Sequence, residues 1–191
     1  MKKVLSTLSF IALASCSIQA QSLKDLFLKM PQEVCPVLSE YNRLELVDNQ
    51  KNNKPMQTRN LLRKISTMKE LTDDYANLAV SSNSEKAIKL LPKNDGTKTI
   101  MVINTVWSDS IADSSLSFYS TDWQPLDAKE FINEPVSAEF RKISVNPATN
   151  TLSILTSQPF VIKLAEDSAP AQKEPISSTF QWNGESFKQG L

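Results

Sequence analysis

Two aspartates four residues apart, Asp109 and Asp113, are the side chains best placed in this sequence for acid–base chemistry. In glycoside hydrolases one carboxyl group protonates the leaving group while a second activates water or attacks the sugar. The same oxygens suit calcium, but the spacing does not match an EF-hand loop and no glycine supplies its sharp turn. Ser and Asp are also ordinary loop residues that bond to their own backbone. The pair predicts, as one alternative, a carboxylate-based hydrolase acting on polysaccharide.

Aromatic residues around the same segment point to recognition instead. Trp107 precedes the two aspartates, and Trp123 follows Asp122 just beyond a predicted strand, where a side chain can face solvent or a partner. Tryptophan combines a flat apolar ring with an N–H donor, which suits a sugar or a peptide, although such rings are often core residues. The candidate binding residues are therefore Trp123, Asp122, Trp107, Asp109 and Asp113.

The composition removes several other chemistries. The 191 residues include no histidine and only three glycines, with 21 basic and 21 acidic side chains. Without histidine, imidazole-based triads and the common zinc sites are excluded. Three scattered glycines do not make a phosphate-binding loop or a dinucleotide fingerprint. We therefore predict no cofactor, no metal site and no nucleic-acid partner, and we find no basic amphipathic stretch for a membrane surface.

The first twenty residues have the pattern of an export signal. Lys2 and Lys3 precede the apolar run Val4–Ala14, and Ile18-Gln19-Ala20 offers a small residue before a cleavage point. The apolar run is shorter than the roughly 20 residues that a membrane-spanning helix needs. No later stretch is as apolar without a charge, so the sequence predicts a periplasmic or secreted protein with no integral membrane span.

Two cysteines leave one processing question open. Leu13-Ala14-Ser15-Cys16 also fits a lipobox, in which Cys16 is lipidated and becomes the first residue of a membrane-anchored lipoprotein. The alternative is a soluble chain that begins at Gln21. Soluble processing leaves Cys35 as the single cysteine, so no internal disulfide forms, and its apolar neighbours predict a buried thiol.

Helical periodicity is confined to residues 22–48. Ser22 is a predicted N-cap for a short helix that ends before Pro31. A second helix is predicted from Glu33 to about Asp48, with its inward face formed by Val37, Leu38, Tyr41, Leu44 and Val47. Residues 49–60 are polar and rich in turn formers, which predicts a loop.

From about residue 65 the pattern is that of strands. Met68–Val80 fits both helix and strand spacing, and we favour a strand because the next segments need a partner. Asp95-Gly96 and Asn183-Gly184 predict hairpin turns, and Ser108–Ser114 predicts a polar loop. Further strands are predicted at Lys86–Leu91, Thr97–Trp107, Ser115–Ser120, Phe140–Val145, Thr151–Thr156, Phe160–Leu164 and Ile176–Trp182.

These patterns predict an α+β fold, with mostly antiparallel β-meander sheets and a short helical N-terminal region. Residues 1–20 are the predicted signal peptide. Residues 21–191 are predicted to form a single domain, helical over 22–48 and β-rich over 65–191, because their length is typical of one domain with its own core.

Several short sequence segments resemble those of a family of uncharacterised exported proteins of Bacteroidales bacteria. The segments span most of the mature chain, and the one ending in Thr-Asp-Trp is the most specific. They are Gln19-Ala20-Gln21, Leu26-Phe27, Met30-Pro31, Cys35-Pro36-Val37-Leu38, Glu70-Leu71-Thr72-Asp73-Asp74-Tyr75, Lys89-Leu90-Leu91-Pro92, Phe118-Tyr119-Ser120-Thr121-Asp122-Trp123 and Phe180-Gln181-Trp182. The resemblance implies a periplasmic or secreted α+β domain with a soluble-type signal, and no assigned activity.

The sequence thus favours a non-enzymatic cell-envelope protein that binds another protein, a peptide or a glycan through a sheet face or a loop. The first alternative is the hydrolase, with envelope polysaccharide as its substrate. The second is a structural subunit of an envelope assembly.

Overall fold

The computed structural model describes residues 21–109, 111–133, 140–157 and 176–190, which form two antiparallel sheets and two short helices. The helices are α1, Leu23–Leu28, and α2, Glu40–Lys51. The first sheet contains β1 Gln57–Arg59, β2 Ile65–Leu71, β3 Tyr75–Ser81, β4 Ser84–Pro92, β5 Lys98–Ser108, β6 Ile111–Tyr119 and β7 Pro125–Leu126. The second contains β8 Phe140–Asn146, β9 Thr151–Ser157, β10 Ile176–Trp182 and β11 Phe187–Gln189.

Both sheets are meanders, because each strand pairs with its neighbours in sequence. The first has the order β1 to β7, and the second has the order β11-β10-β9-β8. Gly96, with φ of 82°, lies in the turn between β4 and β5, where a left-handed backbone is needed. The predicted hairpin at Asp95-Gly96 is confirmed.

The first core lies between the helices and one face of the seven-stranded sheet. Leu23, Leu26 and Phe27 of α1 are fully buried, and they pack with Ile100 and Val102 of β5. Ser22 caps α1 as predicted, since its Oγ accepts a hydrogen bond of 3.3 Å from the Asp25 amide.

The second core lies on the opposite face of the same sheet. Met101 and Ile103 of β5 alternate with the residues of the first core and pack against the four-stranded sheet. Phe118 stacks on Phe131 with ring centroids 4.6 Å apart, next to Trp182. The predicted strand at Thr97–Trp107 therefore corresponds to β5, a central strand covered on both faces.

The predicted α+β class is wrong. Two helices of 6 and 12 residues accompany two antiparallel sheets, so the fold is β-rich rather than α+β with a helical region. The second helix was expected to begin at Glu33, but turns occupy the chain up to Leu38 and Ser39 is the N-cap. Pro36 explains the difference, because proline disfavours helical backbone in the residue that precedes it.

Two strand boundaries also differ from prediction. Met68–Val80 is extended, as favoured, but it belongs to two strands separated by a turn at 72–74. Ser108–Ser114 is not a loop, because Ser108 pairs with Ile111 and leaves only Asp109 and residue 110 between β5 and β6. The polar residues of this segment misled the prediction, since a solvent-facing strand end can carry them equally well.

Some predicted features lie outside the described residues: the signal peptide 1–20, Cys16 with its lipobox, and the strand Phe160–Leu164. In the part of the chain that the structure describes, no helix has the length and apolar character to cross a membrane.

Candidate functional site

Three of the five predicted binding residues lie at one end of the β5–β6 hairpin. Asp109 occupies the tight turn with φ of 52°, and Asp113 is exposed on β6 opposite Val106. Trp107 pairs with Ala112, one position along, so its side chain lies on the opposite face of the sheet from Asp113. The two carboxylates therefore stand on an exposed hairpin with no tryptophan beside them on that face.

Trp123 is a core residue. It is only 5% exposed, and its Nε1 donates a hydrogen bond of 3.0 Å to the Leu26 carbonyl of α1. A tight turn sets its direction, because the Ser120 Oγ accepts from the amides of Asp122 and Gln124, and Trp123 itself has φ of 61°. The expectation that this ring faces solvent is wrong, while Asp122 beside it is exposed.

The five residues do not come together into one site. Asp122 follows the far end of β6, and the six residue steps from Asp113 to Tyr119 extend about 20 Å along a strand. Among the described residues, no three acidic or cysteine side chains are grouped so that they could hold a metal ion. A binding role for these five residues stays a prediction.

Helix α2 directs two polar side chains, Asn42 and Arg43, towards the interior. The Asn42 amide donates to Thr58 Oγ1 at 2.8 Å and to the Arg59 carbonyl at 3.0 Å, which satisfies the outer edge of β1. Asn42 also completes a capping box with Ser39. Arg43 is 5% exposed, and its Nη1 donates to the Leu38 carbonyl at 2.8 Å. Together with Leu46 and Val47, these residues form the buried face of the helix.

The same orientation places two large apolar residues in solvent. Tyr41 is 72% exposed and Leu44 is 45% exposed, although the sequence predicted both on the inward face. They line a groove of about 380 Å³ together with Leu28 and Glu40. The prediction was wrong because the inward positions went to Asn42 and Arg43, whose partners lie on other segments. The groove is therefore apolar, with one carboxylate at its side.

A buried thiol, Cys35, lies close to two buried cations, Lys86 of β4 and Arg43 of α2. Burial raises the pKa of the Cys35 thiol, although Lys86, Arg43 and two backbone amides act in the opposite direction. Burial also lowers the pKa of Lys86, whose Nζ donates to Asn104 Oδ1. No carboxylate of the described residues is within ion-pair distance of Lys86 or Arg43. Cys35 is 2% exposed, as predicted, and the raised pKa keeps it in the unreactive thiol form.

The architecture defines a two-sheet, antiparallel β protein with two short helices on one sheet. A solved domain of an uncharacterized protein from Porphyromonas gingivalis W83 has a similar fold, with a TM-score of 0.71 and 20% sequence identity. The alignment covers 88% of this chain and 98% of that chain. At this identity the likeness concerns the fold alone. No curated protein matches the chain.

One protein-family model matches residues 15–158. The chain belongs to that family, which is described as protein of unknown function (DUF3256). The predicted membership of an uncharacterised family is thereby confirmed, and the family description assigns no residue a role.

Sequence reasoning missed Tyr41 and Leu44 as surface residues. Asn42 and Arg43 lie on the same side of α2 as Leu46 and Val47, but nothing in the sequence indicates that this side is the buried one. That inference requires the partner of Asn42, which is 16 residues away in β1.

Proposed function

We propose that this protein is a non-enzymatic binding protein of the cell envelope, and that it holds a peptide segment of a partner protein in the α2 groove. The α2 groove is the depression lined by Leu28, Glu40, Tyr41 and Leu44. The observation that carries the proposal is the exposure of Tyr41 at 72% beside Leu44 at 45%. Tyrosine is enriched where proteins bind, since it offers a large rigid ring at a small cost in conformational entropy.

The lining of the groove favours a peptide over a glycan. Leu28, Tyr41 and Leu44 supply three apolar walls, which suit an aliphatic or aromatic side chain. Glu40 supplies one carboxylate, which suits a neighbouring lysine, arginine or backbone amide of the same peptide. A sugar presents a hydroxyl on most of its carbons and would require several directional partners around the ring.

The export signal supports the cellular location. Residues 1–20 combine two lysines, an apolar run and a small-residue site, which is the pattern of a secreted or periplasmic protein. Cleavage before Gln21 gives a soluble protein, and lipidation of Cys16 gives an anchored one. Both processing routes place the α2 groove in the same compartment as envelope proteins.

Affinity capture from the cells that make the protein tests the proposal. We expect one protein to be recovered repeatedly with the tagged wild-type chain, and to be lost with the double variant Tyr41→Ser/Leu44→Ser. Both side chains are exposed, so these substitutions change the free energy of unfolding by about 0.5 kcal/mol or less. Thermal unfolding of the purified variant checks that the fold is retained.

Val106→Ser is the matched control, because Val106 is 56% exposed on β5 and does not line the α2 groove. The control is expected to keep the partner. Equal recovery with the wild type and the double variant would remove the α2 groove from the proposal. Loss of the partner in Asp109→Asn/Asp113→Asn alone would move the binding surface to the β5–β6 hairpin.

A further inference from the structure

The loop between β1 and β2, residues 60–64, is held rigidly by one buried asparagine. The Asn60 Oδ1 accepts hydrogen bonds from the amides of Leu62, at 3.0 Å, and Lys64, at 3.1 Å. Its Nδ2 donates to Ser66 Oγ at 3.0 Å and to the Val80 carbonyl at 3.1 Å. Asn60 is 4% exposed, so buried hydrogen bonds link the loop to β2 and β3.

This rigid loop presents apolar side chains to solvent. Leu61 is 59% exposed, Leu62 is 65% exposed, and Ile65 at the start of β2 is 52% exposed. Leu61 and Leu62 are consecutive and both keep most of their surface in water, and together with Ile65 they make up what we call the apolar tip. The tip lies at the end of the sheet formed by its outermost strand pair, β1 and β2.

Cations flank the apolar tip in the sequence. Arg59, Arg63 and Lys64 are exposed, and no carboxylate of the described residues is within ion-pair distance of any of them. They belong to a stretch of 21 residues, 49–69, that contains six lysines and arginines and no acidic residue. Lys51 and Lys69 pair with Asp48 and Glu85, which leaves four cations of the stretch without a described ion pair, in a chain whose formal net charge is zero.

The geometry points to this tip as an attachment site for an anionic lipid surface. Leu61, Leu62 and Ile65 would enter the boundary between headgroups and acyl chains, while Arg59, Arg63 and Lys64 pair with lipid phosphates. Each cation near an anionic membrane contributes favourably to the free energy of membrane binding, and each apolar side chain adds area that is buried in the bilayer. The inference concerns a different surface from the α2 groove and does not depend on a peptide partner.

A lipid surface fits these observations better than an acidic protein. A protein partner generally covers apolar residues with a concave, shape-matched surface, and it binds most strongly to residues at the centre of a flat or hollow patch. A bilayer accepts a small apolar patch of any shape. Exposed cations next to adjacent leucines also match the layered chemistry of an anionic bilayer.

Vesicle co-sedimentation tests the inference with the chain carrying Cys16→Ser, purified as its cells process it, so that lipid on that residue cannot contribute. We expect the protein to bind vesicles that contain phosphatidylglycerol and to bind phosphatidylcholine vesicles much more weakly. Raising the salt from about 0.05 M to about 0.5 M should release most of the protein, because screening weakens the attraction of cations for phosphates.

Two variants separate the apolar and the charged contributions. Leu61→Ser/Leu62→Ser and Arg63→Gln/Lys64→Gln should each lower the partition coefficient by about tenfold or more. The matched controls are Val106→Ser for exposed apolar area and Lys142→Gln/Lys188→Gln for charge, since these residues are exposed elsewhere in the molecule. Both controls should bind within about twofold of the parent protein.

Three results would overturn the inference. The first is no binding to phosphatidylglycerol vesicles by the parent protein. The second is binding that the two loop variants retain in full. The third is capture of a soluble acidic protein that depends on Leu61 and Leu62 while vesicle binding is absent, which would assign the tip to a protein partner.

Discussion

At the scale of single residues, Lys86 is a buried cation whose pKa is shifted from that of the free side chain. It is 5% exposed on β4, and its one described hydrogen-bond partner is the neutral amide of Asn104. Burial lowers the pKa of its ammonium group from the ordinary 10.5. A buried cation without a carboxylate opposes folding at neutral pH, because the unfolded chain keeps its proton at no such penalty.

We therefore predict that Lys86→Met raises the free energy of unfolding at pH 7, by about 1.4 kcal/mol for each unit by which the pKa is lowered. Between the lowered pKa of the folded lysine and 10.5, the unfolded state binds more protons than the folded state. The wild-type chain therefore gains stability as the pH rises through that interval. The difference between variant and wild type should shrink towards pH 10.5, where the unfolded lysine is also losing its proton. Urea unfolding at pH 7 and at alkaline pH measures both quantities.

Lys188→Met is the control, because Lys188 is exposed on β11 and should give no such pH-dependent difference. Burial raises the pKa of Tyr75 and so lowers stability at alkaline pH in all three proteins, which cancels in the comparison, whereas the contribution of the Cys35 thiol changes when Lys86 is replaced, because Lys86 lowers its pKa. A Lys86→Met protein that is less stable than wild type by the same amount at every pH would show that the bond to Asn104 outweighs the penalty of burial.

At the scale of elements, two hairpin turns from different sheets meet. The backbone N–H of Asn94 in the β4–β5 turn donates to the Gly184 carbonyl at 3.0 Å, and Trp182 Nε1 donates to the Pro92 carbonyl at 2.6 Å. Gly184 has φ of 94°, and a Cβ there would overlap the side chain of Asn94. Glycine is thus favoured at this position by backbone conformation, and a Cβ would in addition displace the exposed side chain of Asn94.

Gly184→Ala should lower the free energy of unfolding by about 2–3 kcal/mol, since positive φ costs an L-residue about 1–2 kcal/mol and the overlap adds about 1 kcal/mol. Gly96→Ala is the matched control, with φ of 82° and no atom within 4 Å of its Cβ, so only the backbone strain remains. Chemical denaturation of both variants measures the difference. If Gly184→Ala and Gly96→Ala lower the free energy of unfolding equally, the contact between the turns does not contribute to the effect of Gly184→Ala. The same conclusion follows if adding Asn94→Ala to Gly184→Ala does not reduce the difference between the two variants.

The elements were predictable from the sequence where their signals are local. Ser22 marked the start of α1, and Asn183-Gly184 marked the turn after β10, because a cap or a turn depends on a few consecutive residues. The orientation of α2 was not predictable, since Asn42 faces inward to satisfy β1, which is distant in sequence. The fold class was wrong because turns at 31–38 replaced the first part of the predicted helix.

At the scale of the whole molecule, the seven-stranded sheet separates two hydrophobic cores. The two surfaces proposed for binding are the α2 groove, on the helical side of the sheet, and the apolar tip, at its β1–β2 end. The α2 groove was invisible to sequence reasoning, which placed Tyr41 and Leu44 in the core. The apolar tip was equally missed, because Leu61 and Leu62 lie in a loop and show no helical or strand periodicity. Exposure depends on how distant segments pack, and the sequence pattern alone does not contain it.

The most direct measurement of the central claim is photo-crosslinking from position 41 in living cells, with benzoylphenylalanine in place of Tyr41. We expect a covalent adduct with one partner protein, through a peptide that carries an apolar side chain next to a lysine or arginine. The same probe at Val106, which is similarly exposed, should give no such adduct. An absence of adducts from position 41, or identical adducts from both positions, would contradict the α2 groove as a peptide-binding site.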